Sequence, residues 1–200
     1  MSTRDVRQAY ARLAAQYIDL LGSVDRVHPD DLRLIDRHLR PVCGPVLDLG
    51  CGPGHLTGYL HTKHVDVTGI DLVPEFVAHA RAAHPDARFE VGSVLALDRA
   101  PGSVAGALAW YSLIHLEPER LDDALAAIRR VLAPGAPLVV GFFDGPAHEP
   151  FAHRVATAYR WPPDEMSRRL AAAGFVERER VHRDQEGEWR PHGAIVVHAA

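Results

Sequence analysis

The residues best suited to bind a ligand are three glycines at alternate positions, Gly50, Gly52 and Gly54. They follow a short apolar run, residues 46–49, that is typical of a buried parallel strand, and they precede a segment with the pattern of a helix. Glycine lets the backbone turn tightly and lie against a ligand, because no Cβ intervenes. The N-terminus of the following helix offers unpaired N–H groups to an anionic group. The stretch therefore predicts the strand, loop and helix that open a nucleotide-binding α/β fold.

The spacing of the glycines and a downstream acid narrow the kind of ligand. A dinucleotide fingerprint that begins at Gly50 needs glycine at position 55, where His55 stands, and the Gly-Lys-Ser/Thr sequence of a P-loop is absent. A second predicted strand, residues 65–70, ends in Asp71, roughly twenty residues beyond the loop. An acid at the end of the second strand is where a ribose diol is bound in such folds.

The stretch Asp-Leu-Gly-Cys-Gly-Pro-Gly over residues 48–54 closely resembles motif I of the class I S-adenosylmethionine-dependent methyltransferases. The resemblance implies that Asp48 and the backbone of the three glycines hold the methionine end of the donor, and that Asp71 binds its ribose hydroxyls. It further implies that Leu72, Ser93 and Val94 surround the adenine. Trp110 is expected to lie near the methionine and the methyl group. The predicted donor site consists of Asp48, Gly50, Cys51, Gly52, Gly54, Asp71, Leu72, Ser93, Val94 and Trp110.

Two positions depart from the pattern of that family. The turn after the third predicted strand often carries an acid that accepts the adenine amino group, and Ser93 stands in its place. The hydroxyl of Ser93 or the backbone N–H of Val94 could still read the adenine edge. The fourth predicted strand often has an early acid, but residues 104–107 are Val-Ala-Gly-Ala.

The segment after the fourth predicted strand carries side chains that could act on an acceptor. Trp110, Tyr111 and His115 follow that strand, and ligands of open α/β sheets sit beyond the carboxyl ends of the strands. An aromatic face attracts a cation such as a sulfonium. Because histidine titrates near working pH, His115 is predicted to be the general base, and Tyr111 is predicted to contact the acceptor. The alternative for His115 is a hydrogen bond to the loop before the next helix.

Three further side chains are predicted to contact the acceptor, and each has a plainer alternative. Tyr10 and Tyr17 lie on a predicted amphipathic helix, where they either line the substrate pocket or pack in the core. Arg160 could form a cationic pocket with Arg190 and His192, since guanidinium groups suit carboxylates and phosphates. The alternative for these arginines is an ordinary position on the surface.

Composition and charge argue against several classes of function. The 200 residues include 26 acidic and 22 basic ones, for a net charge of −4 without a basic block, so nucleic-acid binding is not expected. The 2 cysteines make no disulfide framework, and a cytoplasmic location is predicted. Neither a signal peptide nor a membrane-spanning run is expected. His148 and His153 are five positions apart with Pro150 between them, so a helical zinc motif is rejected and no metal site is expected.

The elements that must position these residues are helices and strands in alternation. Two helices, over residues 3–21 and about 30–40, precede the first strand. The resemblance implies a Rossmann-like α/β fold: a mostly parallel sheet of seven strands with helices on both faces and an antiparallel last strand. It also implies an N-terminal helical cap over residues 1–40 and a donor-binding methyltransferase domain over residues 41–200.

The predicted function is transfer of a methyl group from S-adenosylmethionine to an unidentified small molecule, with S-adenosylhomocysteine as the product. One alternative is a non-catalytic module that binds S-adenosylmethionine. Another is an NAD-dependent oxidoreductase, against which His55 argues because it replaces the third fingerprint glycine. The expected partner is the small-molecule acceptor, bound by a monomer or homodimer that has no nucleic-acid or membrane partner.

Overall fold

The computed structural model describes residues 3–152, 157–185, 187 and 189–200. Within these ranges the chain forms a central sheet flanked by helices. The helices are α1 (Thr3–Arg12), α2 (Ala14–Leu21), α3 (Pro29–Leu39), α4 (His55–Thr62), α5 (Pro74–Ala83), α6 (Pro118–Val131) and α7 (Pro163–Ala172). The strands are β1 (Val46–Leu49), β2 (Val67–Asp71), β3 (Arg88–Val91), β4 (Gly106–Trp110), β5 (Pro137–Asp144), β6 (Glu149–Ala152), β7 (Thr157–Trp161), β8 (Phe175–Arg183) and β9 (His192–Ala199).

The strands lie in the order β3-β2-β1-β4-β5, and β9 and then β8 follow β5. Strands β1 to β5 pair in parallel. Strand β9 runs antiparallel between β5 and β8. Because β8 is antiparallel to β9, it runs in the same direction as the first five strands. The predicted sheet of seven mostly parallel strands with an antiparallel last strand is therefore confirmed.

A hairpin of β6 and β7 extends the sheet beyond these seven strands, and the sequence patterns do not predict it. Strand β7 pairs with the end of β5 through only two residues, Phe143 and Asp144. Strand β6 then pairs antiparallel with β7 and forms the edge, where Pro150 is tolerated. Since the hairpin joins the carboxyl end of β5, it stands beside the edge of the sheet at which ligands bind.

The side chains of the strands alternate between two layers of helices. On one face, Leu47 of β1 joins an apolar cluster with Leu125 of α6. On the other face, Val46 joins a cluster with Leu34 of α3 and Leu60 of α4. All five side chains are almost fully buried, and each contributes about 1.5–3 kcal/mol through its burial. The predicted helices on both faces of the sheet are confirmed.

The N-terminal segment forms two helices rather than the single predicted helix over residues 3–21. Leu13 leaves helical geometry, with φ of −111° and ψ of 12°, and separates α1 from α2. The rings of Tyr10 and Tyr17 pack edge-on across the break at 5.4 Å, and both contact Phe76 of α5. Helices α1 and α2 therefore form a layer over α5, whereas α3 packs on the sheet.

The helices are short. The longest within the described ranges is α6, with 14 residues. A helix that crosses a bilayer needs about 20 predominantly apolar residues. None of the helices in the described part of the chain meets that requirement.

Candidate active site

A cavity of about 1630 Å³ lies at the carboxyl ends of β1, β2 and β4. Ligands of open α/β sheets bind at this edge. Helices α1 and α2 and the segment after β8 complete its wall. The predicted site residues in the wall are Tyr10, Tyr17, Asp48, Gly50, Cys51, Gly52, Asp71, Leu72, Ser93, Val94, Trp110, Tyr111 and His115. Two other predicted residues, Gly54 and Arg160, do not belong to the wall.

The glycine loop has backbone geometry that glycine adopts readily. Gly50 and Gly52 have φ of +73° and +54°, values that are unfavourable for residues with a Cβ. The N–H of Gly50 donates to the carbonyl of Ile70 at 2.7 Å and ties the loop to the end of β2. A Cβ on Gly50 would lie 2.3 Å from the Cβ of Ser112, whereas one on Gly52 would meet no atom within 4 Å. Gly52 therefore places bare backbone beside open space at the cavity wall.

Gly54, a predicted donor contact, lies outside the cavity wall and has a packing role. It precedes α4 with φ of +88°. A Cβ there would lie 2.6 Å from the Cβ of Ala80 and 2.8 Å from the ring of Phe89. The glycine therefore lets the start of α4 approach α5 and β3 closely.

We expect Gly54→Ala to lower the free energy of unfolding by about 2–4 kcal/mol, because overpacking and a left-handed alanine both destabilise the fold. Urea denaturation measures this change. Gly135→Ala is the matched control, since Gly135 has φ of +78° but a Cβ there would meet no atom within 4 Å. An equal loss of stability in both variants would show that backbone strain alone, and not the packing of α4, requires glycine at position 54.

Asp71 ends β2 and organises the loop. Its Oδ2 accepts a hydrogen bond from the N–H of Gly52 at 2.8 Å, and its Oδ1 accepts one from the N–H of Val73 at 2.8 Å. Burial raises the pKa of this carboxyl, and backbone hydrogen bonds from Val73, Gly52 and Leu72 oppose the rise. Each carboxylate oxygen has a further lone pair, so Asp71 is suited to accept hydrogen bonds from a diol in the cavity.

Asp48 is a buried carboxyl in the cavity wall. Its Oδ2 accepts a hydrogen bond from the hydroxyl of Thr57 at 2.6 Å. Burial raises the pKa of Asp48 to about 7; the bond from Thr57 opposes the rise, and the charge of Asp71 adds to it. A cation that enters the cavity would favour the ionised form of this carboxyl.

Ser93 and Val94 lie in the wall beyond β3, and Leu72 lies beyond β2. The Oγ of Ser93 accepts a hydrogen bond from the N–H of Leu95 at 3.2 Å, which leaves its hydroxyl proton for another acceptor. The two apolar side chains and this hydroxyl suit a flat ring with polar atoms at its edge.

His115, the predicted general base, is buried and has both ring nitrogens in hydrogen bonds. Its Nε2 lies 2.7 Å from the hydroxyl oxygen of Tyr10, and its Nδ1 lies 2.7 Å from the carbonyl oxygen of Thr157 in β7. Burial lowers the pKa of His115, and the bond to the Thr157 carbonyl opposes this effect. The predicted base therefore contacts Tyr10, and the two side chains meet in the cavity wall.

Tyr111 belongs to a second tyrosine–histidine pair. Its hydroxyl contacts Nδ1 of His192, and its φ of +53° is uncommon for a residue other than glycine. His192 is fully buried, burial lowers its pKa to about 4, and its Nε2 lies 3.6 Å from the carboxylate of Asp31. Arg183 donates to both oxygens of Asp31, at 2.8 and 2.9 Å. The sequence does not reveal Asp31 and Arg183 as wall residues, because no local motif links α3 to β8.

Trp110 is held between β5 and this second pair. A Cβ on Gly141 of β5 would lie 2.6 Å from the Trp110 ring, so the glycine makes room for the indole. The indole lies 5.3 Å from the ring of His192 and 5.7 Å from that of Tyr111. The structure thus places this predicted donor contact in the wall, next to the predicted acceptor contact Tyr111.

Arg160, a predicted acceptor contact, lies outside the cavity wall. Its guanidinium pairs with Glu149 at 3.0 Å and lies 4.8 Å from the ring centre of Phe151, so it braces the β6–β7 hairpin. Arg190 also lies over Phe151, at 5.1 Å, and does belong to the wall. Of the two arginines in the predicted cationic pocket, Arg190 is the one that faces the cavity.

His148, one of the two histidines of the rejected zinc motif, packs against aromatic rings. Its ring lies 4.7 Å from that of Tyr159 and 4.1 Å from that of Trp161. His153 lies outside the described residues. Where the chain is described, no group of three or more His, Cys, Asp or Glu side chains is placed to hold a metal ion.

Residues 46–135 match the sequence model of a family described as a methyltransferase domain. Trans-aconitate 2-methyltransferase of Methylobacterium nodulans is 31% identical over 164 residues, which cover 80% of this chain and 60% of that protein. Malonyl-[acyl-carrier protein] O-methyltransferase of Pseudescherichia vulneris is 30% identical over 135 residues, which cover 68% of this chain and 52% of that protein. The chain therefore spans about half to three fifths of the length of these curated relatives.

The fold is similar to that of 1,6-didemethyltoxoflavin-N1-methyltransferase of Burkholderia thailandensis, which was solved with 1,6-didemethyltoxoflavin and S-adenosylhomocysteine bound. The TM-score is 0.82 at 22% identity, and the match covers 98% of this chain and 88% of that chain. At this identity the likeness shows a shared fold. Together with the family match over residues 46–135, it confirms the resemblance of motif I to the class I S-adenosylmethionine-dependent methyltransferases.

Proposed function

We propose that the chain transfers a methyl group from S-adenosylmethionine to a small-molecule acceptor. The observation that carries this proposal is the size of the cavity at the glycine loop. Its volume of about 1630 Å³ exceeds the roughly 300–1,000 Å³ of a typical site for one small ligand. The space accommodates a donor and an acceptor side by side, whereas a non-catalytic module needs room for the donor alone.

The residues of the wall fit S-adenosylmethionine. Gly52 offers backbone where a Cβ would meet no protein atom, Asp71 offers lone pairs to a ribose diol, and Asp48 offers a buried carboxylate to a cation. When bound, S-adenosylmethionine supplies an electrophilic methyl group. The task of the chain is then to hold donor and acceptor in line and to exclude water from between them.

The acceptor that we propose carries a negatively charged group away from the reacting atom. Arg26 and Arg190 both belong to the cavity wall, and neither forms an ion pair with another described residue. Guanidinium groups suit carboxylates and phosphates. The name of the Methylobacterium relative supports the same chemistry, since trans-aconitate is an anion.

The division into a cap over residues 1–40 and a donor-binding domain over residues 41–200 is also a proposal. Tyr10 of α1 and Tyr17 of α2 support a cap, because both belong to the cavity wall. The absence of a nucleic-acid partner is supported by the net charge of −4, and a cytoplasmic location by the unpaired cysteines. A monomer or homodimer completes this proposal.

Calorimetric titration with S-adenosylmethionine, S-adenosylhomocysteine and NAD tests the donor site. We expect the first two to bind and NAD not to bind; the reverse result would support the oxidoreductase alternative. Donor with a labelled methyl group, incubated with fractions of a metabolite extract, then separates an enzyme from a binding module. We expect label to appear in a small molecule, and donor binding without transfer in any fraction would contradict the enzyme.

Asp71→Ala is expected to weaken donor binding by about 1.5–3 kcal/mol, the scale of hydrogen bonds to a charged group. Calorimetry measures the change, and circular dichroism checks the fold, because Asp71 also ties the N–H groups of Gly52 and Val73. Asp66→Ala is the matched control, since Asp66 precedes the same strand and pairs with Arg88 outside the cavity wall. An unchanged affinity in a folded Asp71→Ala protein would refute the assignment to the ribose.

A further inference from the structure

Tyr10 and His115 form a pair whose proton positions follow from its partners. The carbonyl of Thr157, 2.7 Å from Nδ1 of His115, only accepts, so Nδ1 carries the proton of the neutral imidazole. Nε2 is then an acceptor, and the hydroxyl of Tyr10, 2.7 Å away, donates to it. The oxygen of Tyr10 keeps lone pairs but has no proton left for a third group.

This arrangement selects the chemistry of a group that meets Tyr10. A hydroxyl or an N–H donates to the lone pairs of the tyrosine oxygen. An ionised carboxylate has lone pairs alone, and it needs no base to act as a nucleophile. The pair is therefore suited to a methyl acceptor that reacts through a hydroxyl or an N–H group. It would not assist methylation of a carboxylate.

The surroundings keep both side chains neutral near pH 7. Burial, the nearby Tyr17 of α2 and the charge of Asp71 at the end of β2 raise the pKa of Tyr10. Burial lowers the pKa of His115, against the bond to the Thr157 carbonyl. The other charged wall residues close to His115 in the chain are Glu117 and Arg120. A proton relay requires a neutral imidazole whose Nε2 is unprotonated, next to a neutral phenol, and this pair has both.

We propose that Tyr10 and His115 form a proton relay that deprotonates an acceptor bearing a hydroxyl or N–H group, an inference that rests on the proposed methyltransferase function. The bond from the acceptor atom to its proton breaks, and the proton passes to the oxygen of Tyr10 while the Tyr10 hydroxyl proton passes to Nε2 of His115. The electron pair left on the acceptor atom forms the bond to the methyl carbon, as the carbon–sulfur bond breaks and its pair returns to sulfur. After release of the products, the proton returns through Tyr10 to water.

In this relay Tyr10 is the catalytic residue, because it touches the acceptor. His115 is a positioning residue that acts through Tyr10 and stores the proton. The carbonyl of Thr157 accepts from Nδ1–H and stabilises the imidazolium. The β6–β7 hairpin therefore contributes to the site through a backbone atom.

The pair of Tyr111 and His192 is the alternative relay within the described residues. His192 is fully buried and does not belong to the cavity wall, and no side chain or backbone atom of the described ranges forms a hydrogen bond with its Nε2. The carboxylate of Asp31 lies 3.6 Å from that nitrogen, too far for a good hydrogen bond. The tautomer of His192 is therefore not fixed by a backbone carbonyl, whereas that of His115 is. This difference assigns the relay to Tyr10 and His115.

Nuclear magnetic resonance tests the proton positions without an acceptor. In protein with ¹⁵N-labelled histidine, we expect His115 to be the neutral Nδ1–H tautomer near pH 7. Tyr10→Phe should shift its Nε2 resonance, because the variant removes one hydrogen bond. Tyr17→Phe is the matched control, since Tyr17 packs on Tyr10 at 5.4 Å but leaves that hydrogen bond in place. An Nε2–H tautomer, or an unmoved Nε2 resonance in Tyr10→Phe, overturns the relay.

Kinetics with the acceptor found by the labelled-donor screen provide the second test. Tyr10→Phe and His115→Gln should each lower kcat by about 10²–10⁴-fold and leave donor affinity nearly unchanged. The double variant should be no slower than the single ones, because the residues act as one unit. In the unmodified protein kcat should fall in acid, where Nε2 is protonated, and Tyr10→Phe should lose this dependence.

The outcomes separate the relay from the proposed function. Methylation of a carboxylate, or Tyr10→Phe with unchanged kcat, overturns the relay and leaves methyl transfer established. Loss of the acidic fall in kcat in Tyr111→Phe but not in Tyr10→Phe assigns the relay to the other pair and also overturns the proposal. Failure of the protein to bind S-adenosylmethionine refutes the proposed function. The resonance test still measures the tautomer of His115 and its hydrogen bond to Tyr10 in that case.

Discussion

Gly52→Val is expected to weaken donor binding by more than about a hundredfold, or roughly 3 kcal/mol. Gly52 has φ of +54°, its N–H donates to Asp71, and a Cβ there meets no protein atom within 4 Å. The added side chain therefore enters the space of the ligand rather than that of the protein. A β-branched residue is also strained at positive φ, so the loop loses part of its geometry. Calorimetry with S-adenosylmethionine measures the loss, and circular dichroism should remain close to that of the unmodified protein.

Gly102→Val is the matched control for this experiment. Gly102 has φ of +67°, a Cβ there would also meet no atom within 4 Å, and it does not belong to the cavity wall. Both variants share the backbone strain, so their melting temperatures should fall by similar amounts. Only Gly52→Val should lose donor binding, and normal binding in that variant would show that the loop does not approach the donor.

The part of the cavity wall around the glycine loop could be predicted from the sequence because its geometry is local. Gly50 and Gly52 lie between a strand and a helix that are adjacent in the chain. Their positive φ favours glycine, so this backbone geometry can be recognised from the sequence. Asp71 ends the next strand, and parallel neighbours bring their carboxyl ends to the same edge of the sheet. Spacing along the chain therefore translates directly into proximity.

The part of the wall around Tyr10 and Asp31 could not be predicted in the same way because its contacts are distant in sequence. Tyr10 and His115 are 105 positions apart, and Asp31 and Arg183 are 152 apart. The carbonyl that fixes the tautomer of His115 belongs to Thr157. Because every residue has a backbone carbonyl, this contact cannot be recognised from the sequence. The hairpin that supplies it has strands too short for a clear alternating pattern.

Residue type also left two roles undecided. A glycine suits both close approach to a ligand and close packing of two elements, and only the contacts of Gly54 with Ala80 and Phe89 favour the second role. Arg160 and Arg190 have the same chemistry, but Glu149 pairs with Arg160 on the hairpin while Arg190 faces the cavity. These distinctions depend on neighbours that are set by the tertiary fold.

Donor binding is expected to release a proton near neutral pH, because Asp48 titrates there in the ligand-free protein. Burial raises its pKa to about 7, and a cationic ligand near the carboxylate lowers it again. Affinity should therefore be highest above about pH 7 and should fall by up to about tenfold per pH unit below that value. Calorimetry in buffers with different ionisation enthalpies counts the released protons. An affinity that does not change across neutral pH would contradict a role for Asp48 in holding the cationic end of the donor.

Asp48→Asn should remove this pH dependence and separate binding from stability. The amide keeps an acceptor oxygen for the Thr57 hydroxyl but has no charge, so donor binding should weaken by about 3–5 kcal/mol, the effect of leaving a buried charge unpaired. The substitution has the opposite effect on the free energy of unfolding of the ligand-free protein, which it should raise. Since the fold raises the pKa from 3.8 to about 7, ionised Asp48 destabilises the ligand-free protein progressively as pH rises between these values. The ligand-free variant should therefore be more stable than the unmodified protein at about pH 8, by up to about 4 kcal/mol, with no difference near pH 4.

Urea denaturation of both proteins at the two pH values measures this difference. Asp66→Asn is the matched control, because Asp66 is half exposed, pairs with Arg88 and lies outside the cavity wall, so neither donor affinity nor its pH dependence should change. If Asp48→Asn binds the donor as tightly as the unmodified protein does, Asp48 has no part in holding the methionine end. If the variant is instead less stable at about pH 8, the carboxylate is stabilised in the ligand-free fold, and the expected proton release on binding would be absent as well.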